Sequence, residues 1–192
     1  MIGASFSSVL TAAASGDQGA YAALWRDVQP GLLRYLHVMA PGSAEDVASE
    51  TWVDVVRGLA RFRGDERAFR SWAFTIARHR AADWRRRVAR RPANPLPLER
   101  LPEHAAPDDP VAAAFEAAST EAALALIAEL PREQAEVVAL RVVADLDVAE
   151  VAAIVGKRPG AVRVLAHRGL RRLARRLGAQ RRAVRAPSSN RF

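Results

Sequence analysis

An all-α fold is predicted, with two small helical domains joined by a proline-rich linker and the second of them a helix-turn-helix domain. Three observations predict it. Apolar residues recur at i, i+3, i+4 and i+7 through most of the chain, and no alternating strand pattern competes. Six of the eleven prolines crowd between Pro92 and Pro110, where missing amide donors and restricted neighbours exclude a continuous helix. Between Asp147 and Leu177 a capped helix, a glycine turn and a second, basic helix follow one another. The expected boundaries are 1–91 for the N-terminal domain, 92–111 for the linker, 112–180 for the C-terminal domain and 181–192 for a disordered tail.

In the first domain an opening helix is followed by one from about Gly16 to Val28, with Tyr21, Leu24, Trp25 and Val28 inward. The next runs from about Gly31 to Met39 with Leu32, Leu33 and Leu36 inward, and another from Ser43 to about Leu59 with Val47, Val55, Val56 and Leu59 inward. In AFRSWAFTIARHRAADWRRRVARR the stripe is Phe69, Trp72, Ala73, Ile76 and Ala77. At about 100° per residue, Phe74 falls off that stripe, onto the face that carries Arg67, Arg78 and Arg85. After the linker, helices are expected over about 112–129, 131–144, 147–155 and 159–177, with Pro131 suited to a first helical position. Asp147 and Glu150 have the spacing of a capping box, Val148, Val151 and Ile154 form the inward stripe, and Gly156 permits a left-handed turn. In the last helix Val162, Leu165, Ala166, Leu170, Leu173 and Leu177 share one side, opposite Ala161, Val164, Arg168, Arg171 and Arg175.

Charge is distributed in blocks. The chain of 192 residues has net charge +8, and half of it is apolar, as a packed protein requires. A basic balance of this size suits a polyanion: nucleic acid or, less often, an anionic membrane surface. Because Lys157 is the one lysine, an arginine-favouring genome is the alternative explanation. Residues 61–91 hold eleven arginines against three acids, 92–154 three basic against twelve acidic residues, and 157–185 eleven basic residues and no acid. Genome bias would spread arginine evenly, so the blocks favour two separate polyanion contacts. The absence of cysteine excludes disulfides and thiolate metal sites, and the four scattered histidines suggest no zinc cluster; no cofactor is expected. No apolar run approaches the roughly 20 residues of a membrane span, and the N-terminus lacks the basic start of a signal peptide. A cytoplasmic protein without membrane insertion is expected.

The helix from Pro159 onward can enter a DNA major groove, its first residues near base edges and its later arginines on phosphates. Small apolar Ala161 and Val164, where a solvated face would be charged, favour that over an ordinary basic surface. Phe74 among arginines suits stacking on an unpaired base; the alternative is packing under the neighbouring loop RFRGDE.

Two sets of strings resemble one family. AEDVASETWVDVV, LARFRG and AFRSWAFTIARHRAADWRRR in the first half, and LPREQAEVVALRVV and VAAIVGKRPGAVRVLAHRGLRRL in the second, resemble the two-domain extracytoplasmic-function (ECF) sigma factors of bacterial RNA polymerase, from about Gly16 to Leu177. The resemblance implies a non-enzymatic factor with no catalytic residues. It implies docking on the clamp helices of the largest polymerase subunit through Glu45, Asp46 and Glu50, with Asp54 on the same acidic face. It implies capture of the melted minus-ten strand by the Phe62, Arg63, Gly64 loop and the face of Arg67, Phe74, Arg78 and Arg85, while Trp52, Trp72 and Trp84 serve the core. Duplex minus-thirty-five contacts fall to Lys157, Arg158, Arg163 and Arg168, joined by Ala161, Val164, Arg171 and Arg175 of the outer face. An anti-sigma protein is the regulator the family implies. Three departures mark this chain: Ser49 replaces the usual glutamine of the docking motif, His79 the asparagine after I-A-R, and Val164 and Leu165 the usual serine and arginine of the recognition helix. The competing functions are a free-standing helix-turn-helix regulator, which would not need the first half, and a nucleic-acid hydrolase, which would need clustered metal-ligating side chains.

Overall fold

The computed structural model describes residues 2–90 and 120–185, with side chains to 178. The expected linker, the start of the helix expected from 112 and the last seven residues lie outside the described residues. A 3₁₀ turn, Gly3–Ser5, leads into α1 (Phe6–Ala14), α2 (Gln18–Met39), α3 (Ala44–Leu59) and α4 (Glu66–Arg90). Then come α5 (120–128), α6 (Arg132–Val138), a π turn (Ala139–Val143), α7 (Val148–Val155) and α8 (Pro159–Arg185). Every regular element among the described residues is helical.

Helix α2 is one helix where the sequence suggests two. The Asp17 side chain accepts from the Ala20 amide and starts it, and Pro30 sits inside it. Proline there removes one hydrogen bond and crowds the preceding turn, yet Leu24, Val28, Leu32, Tyr35 and Leu36 form an unbroken buried stripe on both sides of it. Burial of each such side chain is worth about 1.5–3 kcal/mol, enough in sum to offset the break. Gly31 sits on this stripe against Phe74 and Ala144, where even a Cβ would make only ordinary contact, 3.6 Å from Phe74 Cζ. Tyr35 meets the Phe74 ring edge-on at 5.7 Å.

Helix α3 buries Val47, Ala48, Thr51, Trp52, Val55 and Leu59, and Trp52 Nε1 donates to Gln29 Oε1 at 2.7 Å. Two expected core residues turn outward: Trp25 is 40 % and Val56 53 % exposed. Trp72 and Trp84 are half-buried against the core. Helix α4 buries Phe69, Ala73, Ala77 and Ala81 on one line and Phe74 beside it. Its first turn anchors the N-terminus, because Glu66 accepts from the amides of Ile2 and Gly3.

In the second half, Pro131 occupies the N-cap of α6, one place before the position expected. The helix expected to 144 loosens into the π turn after Val138, where the Ala144 amide bonds back five residues to Ala139. Helix α7 carries the predicted capping box between Asp147 and Glu150 and ends at Gly156 with φ +67. Helices α6 and α8 cross at Gly169, where a Cβ would come within 2.7 Å of Val138 Cγ2. Leu170 and Leu177, expected inward, are 45 % and 46 % exposed. The two halves are in contact: α4 packs on α7, and α2 on the π turn and α6.

Candidate nucleic-acid interface

Helix α8 presents its outer face to solvent. The Gly156 turn brings Lys157 and Arg158 ahead of its first turn, and Val162, fully buried, pins it to the domain. Ala161, Arg163, Val164, Arg168, Arg171 and Arg175 are exposed, as is Arg158. Lys157 instead reaches back to α6, with Nζ 2.7 Å from Glu133 Oε1, and this hydrogen bond holds the Glu133 carboxyl below its usual range. Arg175 donates to the carbonyl of Arg171, one turn earlier. Small residues at the start and guanidinium groups along the length make a surface that fits a groove and its flanking phosphates.

The face of α4 is different. Phe74 is fully buried on Tyr35 and near Gly31, not exposed for stacking, while in the loop at 61–66 the Phe62 ring stacks on Trp72 at 5.0 Å. Arg67 pairs with Asp147 Oδ2 at 2.9 Å and Glu150 Oε1 at 3.8 Å. Arg78 pairs with the buried Glu136 at 2.9 Å. Arg85 donates to the Met39 carbonyl at 3.2 Å, and burial pulls its pKa down. The structure therefore brings Arg67, Phe74, Arg78 and Arg85 to one side of α4, with the ring as core. Arg63 and Gly64 are exposed, and Gly64 is where the loop folds on the helix: a Cβ there would lie 2.8 Å from Ala68 Cβ.

Apart from Arg57, the partners of the acidic face of α3 come from other helices, where helical spacing could not reveal them. Glu50 takes both Nη atoms of Arg87 at 3.1–3.2 Å and lies 3.9 Å from Arg80. Asp54 pairs with Arg80, whose pKa this hydrogen bond raises, and with Arg57 at 3.6 Å. Glu45 lies 3.6 Å from His37 Nε2, and Glu45 and Asp46 are exposed. Beside them Tyr21, Ser49, Trp52, Val53, Val56 and Arg57 line a shallow groove. Sequence reasoning missed that groove. Its signal was Ser49, Val53 and Val56 at 3–4 residue spacing, opposite the buried stripe.

Together the fold and these faces define an all-helical protein with one basic helix-turn-helix surface and an acidic face on α3. The family profiles for Sigma-70 region 2 and Sigma-70 region 4 match residues 24–91 and 120–173. The chain is 37% identical over 180 residues to the ECF RNA polymerase sigma factor SigD of Mycobacterium tuberculosis, spanning 90% of this chain and 84% of that one. It is 38% identical over 172 residues to the ECF RNA polymerase sigma factor ShbA of Streptomyces griseus, spanning 84% and 89%. Among solved structures, that of CnrH in complex with the cytosolic domain of CnrY superposes with a TM-score of 0.62 at 24% identity, over 89% of this chain and 96% of that one. The chain belongs to the ECF RNA polymerase sigma factors. As such it binds core RNA polymerase, directs it to promoters and helps open the DNA. Region 2 is the half that a free-standing regulator would lack.

Proposed function

We propose that three surfaces divide this work. Glu45 and Asp46, with Glu50, Asp54 and the Val53–Val56 groove beside them, dock on the clamp helices of core polymerase. Lys157 and Arg158 ahead of α8, together with Ala161, Arg163, Val164, Arg168, Arg171 and Arg175 on its outer face, take the duplex minus-thirty-five element. The Phe62, Arg63, Gly64 loop and Arg67, Arg78 and Arg85 take the melted minus-ten strand, with Phe74 supporting that face from within. The observation that carries this reading is the exposed start of α8, where Ala161 and Val164 stand between arginines and can touch base edges and thymine methyls.

No helix among the described residues is long and apolar enough to cross a membrane. We place the protein in the cytoplasm, with the polymerase and the chromosome, and assign it no catalysis of its own. The test is run-off transcription from genomic fragments with purified core polymerase. Wild type should yield discrete promoters; Glu45→Lys with Asp46→Lys should lose core binding in a pull-down while melting normally. Glu50 is left intact in that variant because its ion pairs with α4 serve the fold. Unchanged core affinity would remove the acidic face from the mechanism.

A further inference from the structure

The loop that leads into α4 rests on a line of aromatic rings. Phe62 stacks on Trp72 at 5.0 Å and meets Phe69 edge-on at 5.6 Å. Trp72 in turn lies so close to α3 that a Cβ on Gly58 would come within 2.6 Å of its ring. At the other end Phe69 meets Phe6 of the N-terminal segment, at 5.8 Å. Polar contacts close the same arrangement. Asp65 Oδ1 accepts from the Ala68 amide and caps α4, so the Glu66 carboxylate beside it is not needed for the cap. Its two oxygens go instead to the successive amides of Ile2 and Gly3, 64 and 63 residues away in the chain. The backbone of Ile2 is right-handed, with φ −77, and that of Gly3 left-handed, with φ +71. Successive amides in such a pair of conformations converge and form a concave anion site; here the anion is Glu66. A Cβ on Gly3 would meet nothing within 4 Å, so glycine is favoured there by the backbone alone.

We propose that Glu66 is a positioning residue for strand capture. By gripping the Ile2 and Gly3 amides it seats the N-terminal segment on Phe69 and fixes the Phe62, Arg63, Gly64 loop in its binding shape. The inference rests on the reading that this loop takes the melted minus-ten strand. The route is short. Glu66 and Phe69 are three residues apart on α4 and so share a face, and Phe6 follows Gly3 by the same interval. A grip at the amides is therefore passed on as ring packing from Phe6 through Phe69 to Phe62. Phe62 is half-buried, whereas Arg63 and Gly64 are exposed, so the ring anchors the loop and leaves the rest to meet the strand. Arg63 Nη1 donates to the carbonyls of Ala60 at 2.9 Å and Phe62 at 2.7 Å, which orients the guanidinium and keeps its remaining donors for a phosphate.

The full chain, assembled with purified core polymerase, is titrated with the single-stranded minus-ten segment of a promoter defined by run-off, and with the same segment carrying one base replaced at a time. Glu66→Gln removes the charge and one acceptor, and Gly3→Val cannot hold positive φ without strain. Each should weaken strand binding at least about fivefold and narrow the difference between correct and replaced bases. Gly3→Asn, which tolerates the left-handed backbone, should bind as wild type does. Gly3→Val combined with Glu66→Gln should be no worse than either alone, because both break one contact. Binding of the minus-thirty-five duplex should be unchanged in every variant. If Glu66→Gln does not fold, the comparison of Gly3→Val with Gly3→Asn decides. Strand binding unchanged in Gly3→Val and Glu66→Gln, or equally impaired in Gly3→Val and Gly3→Asn, while Arg63→Glu abolishes it, would overturn the brace alone. Equal losses on strand and duplex, with a lowered melting temperature, would make Glu66 a general structural contact and overturn the brace as well. Strand binding untouched by Arg63→Glu would overturn the brace together with the loop reading beneath it.

Discussion

Along α4, Arg67, Arg70, Arg78 and Arg80 each meet a carboxylate, two of them from across the domain seam. Along α8, Arg163, Arg168 and Arg171 lie on an exposed face. Both helices are arginine-rich, and from sequence both read as polyanion surfaces. The difference lies in what is packed opposite. Helix α4 is flanked by α2, α3, α6 and the start of α7, whose acids Asp27, Asp54, Glu136 and Asp147 supply acceptors, whereas the outer face of α8 has no element against it among the described residues. A guanidinium stripe marks where acceptors are wanted; the tertiary neighbours decide whether they come from the same chain.

The largest expected effect attacks the foundation of the α4 face. Phe74→Ala removes a fully buried ring from Tyr35 and should cost about 3–5 kcal/mol of stability, read by denaturant unfolding. All activities should fall together, and a template already mismatched across the minus-ten element should not rescue transcription. Selective rescue would show the ring acting on DNA and would erase the contrast between the two helices. The matching blow to α8 is Gly169→Ala. Its new methyl would meet Val138 Cγ2 at 2.7 Å, an overpacking worth about 1–3 kcal/mol, measured in the same unfolding experiment.

The exposed arginines should act without touching stability. Arg168→Ala, Arg171→Ala and Arg175→Ala together should leave the melting curve in place and flatten the salt dependence of duplex binding, by about 0.9 in log–log slope for each phosphate no longer neutralised. An unchanged slope would mean that the α8 face is merely solvated.

The smallest effect concerns Asp147. Its carboxyl is held below the ordinary range by the Glu150 amide first, and further by the Ala149 amide and Arg67, against an opposing desolvation cost. A group whose pKa is depressed by folding contributes stability that is present above its unfolded value, about 3.9, and is lost as pH falls through the lower folded value. The gap in melting temperature between wild type and Asp147→Ala should therefore be steady near neutrality and close in acid below about pH 4. A gap that persists in acid would show that the carboxylate charge is not what the cap and the seam use.

Much of the C-terminal domain was legible because its signals are local. A capping box needs two side chains three residues apart, and the Gly156 turn needs one residue that tolerates positive φ; both sit where expected. The errors share a cause. Periodicity places side chains around one helix but says nothing of how far the neighbouring helix extends, so Trp25, Val56, Leu170 and Leu177 fall on inward stripes and are nevertheless exposed. The proline rule breaks α2 at Pro30, where a buried stripe on both sides holds it together.

The amino-acid sequence by itself determined the helical class, the helix-turn-helix and the family, because these rest on contacts between residues close in the chain and on strings matched in order. Only the tertiary structure decided that Phe74 is core, that Glu50 and Asp54 are held by Arg87 and Arg80, and that Arg67 and Arg78 face Asp147, Glu150 and Glu136. Those partners lie 26 to 83 residues apart in the chain, and a charge has no direction in sequence. Which opposite charge reaches it depends on the packing of whole helices, and that packing is set by the apolar faces beneath.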